Sequence, residues 1–292
     1  MLTEHQKHWG VDQWAAFLTN QVIPCMPRSK LMLRALEETQ GDTLSAADLT
    51  SLVISDPFLC LRLLREAESR RTTRLGHDTT TPLGAVMQLG IKVFHNLVRV
   101  STETSDENLG LLECSTRAIL ASQIAQMWGK ARADISPEEV AMAALLAEIG
   151  ELLLWHFAPE LPAAAQQALI SGDAVRSAQA QEIACGFRFR DLSMKCATVW
   201  ALPPLLVQLI RGQDNVRANL CKLYLDTARH LVAGADNSAL PDDLAQAKRL
   251  IPGASLEWLA SHMNGLNEER QVQVIEAAQW VLDQEIGQPE DV

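Results

Sequence analysis

The stretch Ala144-Leu145-Leu146-Ala147-Glu148-Ile149-Gly150 is apolar apart from one carboxylate and has helical spacing. The helix that carries it opens at Ser136-Pro137-Glu138-Glu139. There the serine hydroxyl can accept from the Glu139 amide, the glutamate can reach back, and proline suits a first helical position whose N–H would have no intrahelical partner. The pattern predicts a helix running from this start through Gly150. Leu145, Leu146, Ile149 and Gly150 are its packing positions, and Ala147 contributes no donor atom.

Outward from this stretch, nearly every segment repeats apolar residues three or four apart, and strand signals are almost absent. Asp56-Pro57 places a capping carboxylate before a proline, after which Phe58, Leu61 and Leu64 share a face. Ser45 with Asp48 is a capping-box variant ahead of Leu49, Leu52 and Val53. Further helices are predicted over 12–21, 29–38, 82–89, 92–100, 109–128, 163–170, 174–185, 191–200, 204–211, 216–232, 242–250, 255–264 and 268–285, with Gly90 and Gly129 as stops. The fold class is all-α. Polar, aliphatic-poor segments at 70–81 and 102–108 read as linkers, and no repeat of fixed period is present.

The chain has 292 residues, 48% of them hydrophobic, 5% aromatic and 21% charged, with a formal net charge of -11. That is a globular composition, and its acidity disfavours nonspecific attraction to phosphate backbones and anionic membranes. Nucleic acid and membrane are therefore not expected as partners. Neither a secretory h-region nor a run of roughly 18 uninterrupted apolar residues is present, so a cytoplasmic protein is expected. Cys25, Cys60, Cys114, Cys185, Cys196 and Cys221 lack any C-x-x-C spacing and read as reduced, buried thiols.

Four anchors, in order, resemble the HDOD branch of the HD phosphohydrolase superfamily. They are Ile23-Pro24-Cys25-Met26-Pro27; Asp56-Pro57 with Leu59, Leu63-Leu64 and Ala67-Glu68-Ser69; Pro82 to Gly90; and the Ala144 to Gly150 turn followed by Trp200-Ala201-Leu202-Pro203. Glu68 stands where the family has asparagine. The resemblance spans about 23–211 and implies a multi-helix HD/HDOD-like bundle: an N-terminal helical extension over 1–22, the domain proper over 23–213, and C-terminal helices over 214–292 that pack on it or extend it. It also implies a remnant metal site. The superfamily's turn reads G-L-L-H-D-I-G, and its His-Asp pair is here Ala147 and Glu148. The upstream histidine matches Cys114, and the late aspartate falls at Asp226. A lone thiol is a poor site for the hard ions of phosphate chemistry, so no metal or other cofactor is expected. Glu148 reads as a solvated or hydrogen-bonded carboxylate in preference to a ligand.

Other candidates are weaker. His5 and His8 share a helical face without an obvious third ligand, and His156 reads as a helix-dipole partner. No H-E-x-x-H, G-x-S-x-G, phosphate-binding or dinucleotide-binding glycine pattern occurs. Arg70, Arg71 and Arg74, within a basic run that begins at Arg65, form a candidate surface for an anionic ligand or an acidic partner helix. The seven tryptophans read as packing residues, with Trp9 and Trp14 as alternative partner anchors. The expected function is that of a non-catalytic module for bacterial signalling that binds protein partners. The alternatives are a diverged phosphohydrolase or phosphorylated-nucleotide binder using the old pocket, and a ligand-free scaffold.

Overall fold

A computed structural model describes residues 2–70 and 79–286. Among the described residues no strand forms, and a single isolated parallel bridge joins Cys25 to Glu103. A short 3-10 turn at Gln6–His8 leads into α1 (Val11–Thr19), α2 (Pro27–Gln40), α3 (Ala46–Ile54), α4 (Pro57–Ser69), α5 (Pro82–Leu89) and α6 (Ile91–Arg99). The middle of the chain forms α7 (Leu109–Gly129), α8 (Pro137–Leu146), α9 (Ile149–Phe157), α10 (Glu160–Ile170), α11 (Ser177–Cys185), α12 (Phe189–Val199) and α13 (Pro204–Arg211). The last helices are α14 (Val216–Ala233), α15 (Leu240–Leu250), α16 (Leu256–Ser261) and α17 (Glu268–Ile286). The central helix α7 packs on α8 and α14, while α9 packs on α12 and α12 on α1.

Asp56 shows how the anchors build this fold. Its Oδ1 accepts from the Phe58 and Leu59 amides at 2.9 and 3.0 Å, capping α4. Its Oδ2 accepts from the Met26 amide at 2.7 Å and the Ser29 hydroxyl at 2.6 Å, which fixes the start of α2. The side chain is fully buried; burial pushes the carboxyl up from its ordinary value while these donors pull it down. One carboxylate thus locks the proline-rich entry to the Asp56-Pro57 helix. The Ser45–Asp48 box is complete, with Ser45 N–H donating to Asp48 at 2.9 Å and Asp48 N–H to Ser45 at 3.4 Å. At Ser136 the hydroxyl accepts from the Glu139 amide at 3.4 Å, but the Glu139 carboxylate accepts from Thr80 at 2.8 Å instead of reaching back.

The predicted helix from Ser136 through Gly150 is in fact two, broken at Ala147–Glu148. The Ala147 amide donates to Ala144 in a tightened last turn at 3.4 Å, and Glu148 caps the next helix. Neither proline nor glycine stands at the break itself, and the next turn is packed tightly on α12. The Gly150 amide donates to Ser193 Oγ at 3.0 Å, and a Cβ at Gly150 would lie 2.7 Å from both the Phe189 carbonyl oxygen and the Ser193 nitrogen. Gly150 is thus a close-approach residue between α9 and α12. Gly150→Ala should cost about 1–3 kcal/mol as the two backbones are forced apart, measurable by urea unfolding.

Segment 137–157 is apolar enough by length and composition to cross a membrane, but 78% of its most apolar window is buried inside the protein. It is the core pair α8–α9. At the N-terminus Trp14 and Leu18 are fully buried, and the Trp200 indole donates to Thr19 Oγ1 at 3.0 Å. Beyond Val216, the Trp128 indole of α7 donates to the Leu259 carbonyl at 3.0 Å and meets Tyr224 edge-on at 6.0 Å. Helix α1 therefore packs on α12, and α14 and α16, beyond Val216, pack on α7. Trp280, 64% exposed, departs from the packing role. The six cysteines are buried and unpaired.

Candidate functional site

The break between α8 and α9 turns Glu148 toward α7 and α14. One turn along α7, Cys114 and Arg117 share a face, and on α14 Asp226 and Arg229 do the same. Arg117 Nε donates to Glu148 Oε2 at 2.6 Å, and its Nη2 lies 3.1 Å from Glu151 Oε2 and 3.4 Å from Cys114 Sγ. Arg229 spans from Glu148 Oε1 at 3.1 Å to Asp226 Oδ1 at 2.9 Å. The Trp155 indole donates to Glu151 Oε1 at 3.4 Å. The Arg117, Glu148 and Glu151 side chains are only 12%, 16% and 19% exposed, so solvent screens this cluster little.

Burial alone would push the Glu148 carboxyl up, but Arg117 and Arg229 hold it below the ordinary glutamate value. Glu151 goes the other way: burial and the neighbouring Glu148 outweigh the pull of Arg117 and raise it. Burial, with Glu151 beside it, pushes the Cys114 thiol well above its usual value, so the sulfur stays protonated. Burial also works against the Arg117 charge, yet the Glu148 and Glu151 carboxylates hold the guanidinium above the ordinary arginine value.

The superfamily's chemistry would need a metal at this place. Cys114, Glu148 and Glu151 do bring one ligand atom each to within 4.8 Å of one another. The residues present nonetheless do not fit a metal, because Arg117 already points its guanidinium at all three donors and Ala147 offers none. A cation would have to displace a buried, triply held arginine and deprotonate a raised thiol. What the arrangement holds is a fixed internal positive charge.

This cluster forms part of the wall of a cavity of about 570 Å³ between α9, α12 and α14. Ala147, Glu148 and Asp226 all line it, while Cys114 and its neighbour Arg117 do not. The four sequence-derived site positions therefore converge. Arg117, Glu151 and Arg229 were missed. Arg117 had a usable signal: α7 carries only two charges along its length, Glu113 and Arg117. Arg70 belongs elsewhere, paired with Glu66 on its own helix at 2.6 Å, and Arg71 and Arg74 lie outside the described residues. Arg65 places its guanidinium 4.7 Å over the Trp200 ring. His156 packs against the Phe58 and Phe157 rings, and burial lowers its pKa, which disfavours the charge a helix-dipole partner needs.

The charge state of Glu148 gives the site a pH signature. Because its folded value is depressed, the carboxylate contributes stability at neutral pH that is lost as pH falls through that value. The stability difference between wild type and Glu148→Gln should therefore shrink as pH is lowered from about 6 to about 3, followed by denaturant unfolding at each pH.

A helical bundle with an Asp-Pro anchor, a close-packed Ile-Gly turn and a charged cluster beneath it defines an HD-type fold, and the family model for the HDOD domain matches residues 23–216. The chain belongs to the HDOD family. Among curated proteins no sequence matches it. Among solved structures, a virulence factor from Campylobacter jejuni is similar with a TM-score of 0.68 at 15% identity, over 91% of this chain and 99% of that one. The MmoQ response regulator of Methylococcus capsulatus is similar with a TM-score of 0.61 at 19% identity, over 88% of this chain and 98% of that one. At these identities the likeness is one of fold.

Proposed function

We propose that this protein is a non-catalytic regulatory module of bacterial signal transduction, working in the cytoplasm by presenting a helical surface to a protein partner. The observation that carries this is Arg117, whose guanidinium stands among Cys114, Glu148 and Glu151 where the superfamily's chemistry calls for a metal. A guanidinium cannot activate a water molecule as a metal does. It can hold the α7–α9–α14 junction in one arrangement, which is what a binding surface needs. The competing role, a diverged phosphohydrolase, draws on the cavity beside the cluster.

The two roles separate in a phosphatase assay of the full chain on p-nitrophenyl phosphate with saturating manganese or magnesium. A non-catalytic module gives the same background release for wild type and Glu148→Gln. Release by the wild type that Glu148→Gln abolishes, in folded protein, would establish the enzyme instead.

A further inference from the structure

The carboxylates around the cavity are matched unevenly. Glu148 and Glu151 are met by Arg117, and Glu148 and Asp226 by Arg229. Arg188 pairs with Glu182 at 2.7 Å. Two further cations on the wall, Arg190 and Lys222, have no ion pair among the described residues; Arg190 donates to the Arg211 carbonyl and keeps the rest of its fork free. Arg190 and Lys222 both line this one cavity, Arg190 from α12 and Lys222 from α14. The remaining wall carboxylate, Asp214, has the Asn219 amide at 3.5 Å. The open part of the wall thus carries two free cations against one carboxylate, in a protein with a net charge of -11.

The lining is mixed: Phe189, Leu209 and Leu225 supply apolar surface beside the polar Gln181, Ser193 and Asn219. A volume of about 570 Å³ lies in the range of small-molecule sites. A planar guanidinium fork beside a lysine ammonium suits phosphate oxygens, and two cations match a dianion.

We infer that this cavity binds a phosphate monoester with an apolar or aromatic body, its phosphate held by Arg190 and Lys222 and its body against Phe189 and Leu225. The ligand would lie across α12 and α14, beside the Arg229 bridge to Glu148, and so would bias the same junction that the proposed regulatory role depends on. Binding itself does not require the site to be catalytically silent.

The test is calorimetric titration of the full-length protein with phenyl phosphate, benzoate and inorganic phosphate. Phenyl phosphate is expected to bind one per chain, at least roughly tenfold tighter than either of the others. Arg190→Ala with Lys222→Ala should weaken it by roughly tenfold or more, whereas Lys92→Ala with Lys130→Ala, of equal charge change and outside the cavity lining, should not. Both positions are exposed, and a thermal melt without ligand checks that the variants fold; should the double variant fail, Arg190→Gln and Lys222→Gln singly serve instead. No binding by the wild type, or equal affinity in wild type and cation variants, would overturn the site. Benzoate binding as well as phenyl phosphate would overturn the phosphate assignment. Phosphate release from phenyl phosphate would count against the non-catalytic role while leaving the site standing, and absence of binding would do the reverse.

Discussion

Arg117→Met is expected to destabilise the protein by about 3–5 kcal/mol, because it leaves two carboxylates buried without their shared counter-ion. Among the described residues Arg117 is the only ion-pair partner of Glu151 and the closer of two partners of Glu148. At that size the melting temperature should fall by roughly 10 °C. The origin of the loss is testable by a mutant cycle. If uncompensated charge is responsible, adding Glu148→Gln and Glu151→Gln to Arg117→Met should recover much of the stability, since neutral side chains no longer need the guanidinium. Additive losses would mean that Arg117 acts through packing of its stem alone.

Asp56→Ala should be of similar size, on the order of 3–5 kcal/mol, since it strands three backbone amides and a hydroxyl in a fully buried position. The four donors come from both sides of a junction, Met26 and Ser29 at the start of α2 and Phe58 and Leu59 at the start of α4. Asp56→Asn separates the two halves. Its amide oxygen can still cap α4, but its NH₂ would face the Met26 N–H, so an intermediate loss is expected. Urea unfolding of the three proteins measures this order, and an Asp56→Ala loss below about 1 kcal/mol would show that the junction is held by packing instead.

How much of this was written in the chain depends on how local each feature is. Helix starts were legible because a cap is a local device: Asp56-Pro57, Ser45 with Asp48, and Ser136-Pro137 all begin helices where their side chains dictate. The break at Ala147–Glu148 was not, because no proline or glycine stands at it, and the close packing of the next turn on the backbone of α12, some forty residues away in sequence, is a tertiary feature. Likewise Glu139 left its own cap for Thr80, a partner that only the tertiary fold supplies.

The site was half legible for the same reason. Cys114, Ala147, Glu148 and Asp226 were named by matching positions; three of them line the cavity, and the fourth lies 3.4 Å from the Arg117 guanidinium. The run at Arg70, Arg71 and Arg74 was read as a separate surface for an anionic ligand or partner, and no charge was assigned to this site. Its charge comes from Arg117 and Arg229, far apart in sequence and brought together by the packing of α7 on α14. A lone arginine on a long apolar helix is the kind of buried charge that must have a partner, and that is the signal that could have named it.

The decisive measurement is the metal content of the full-length protein, incubated with manganese, iron(II) or magnesium and then passed through a desalting column. With Arg117 standing in the metal's place, the protein should retain no more than the buffer blank. One tightly held equivalent per chain, lost in Glu148→Gln, would contradict that placement.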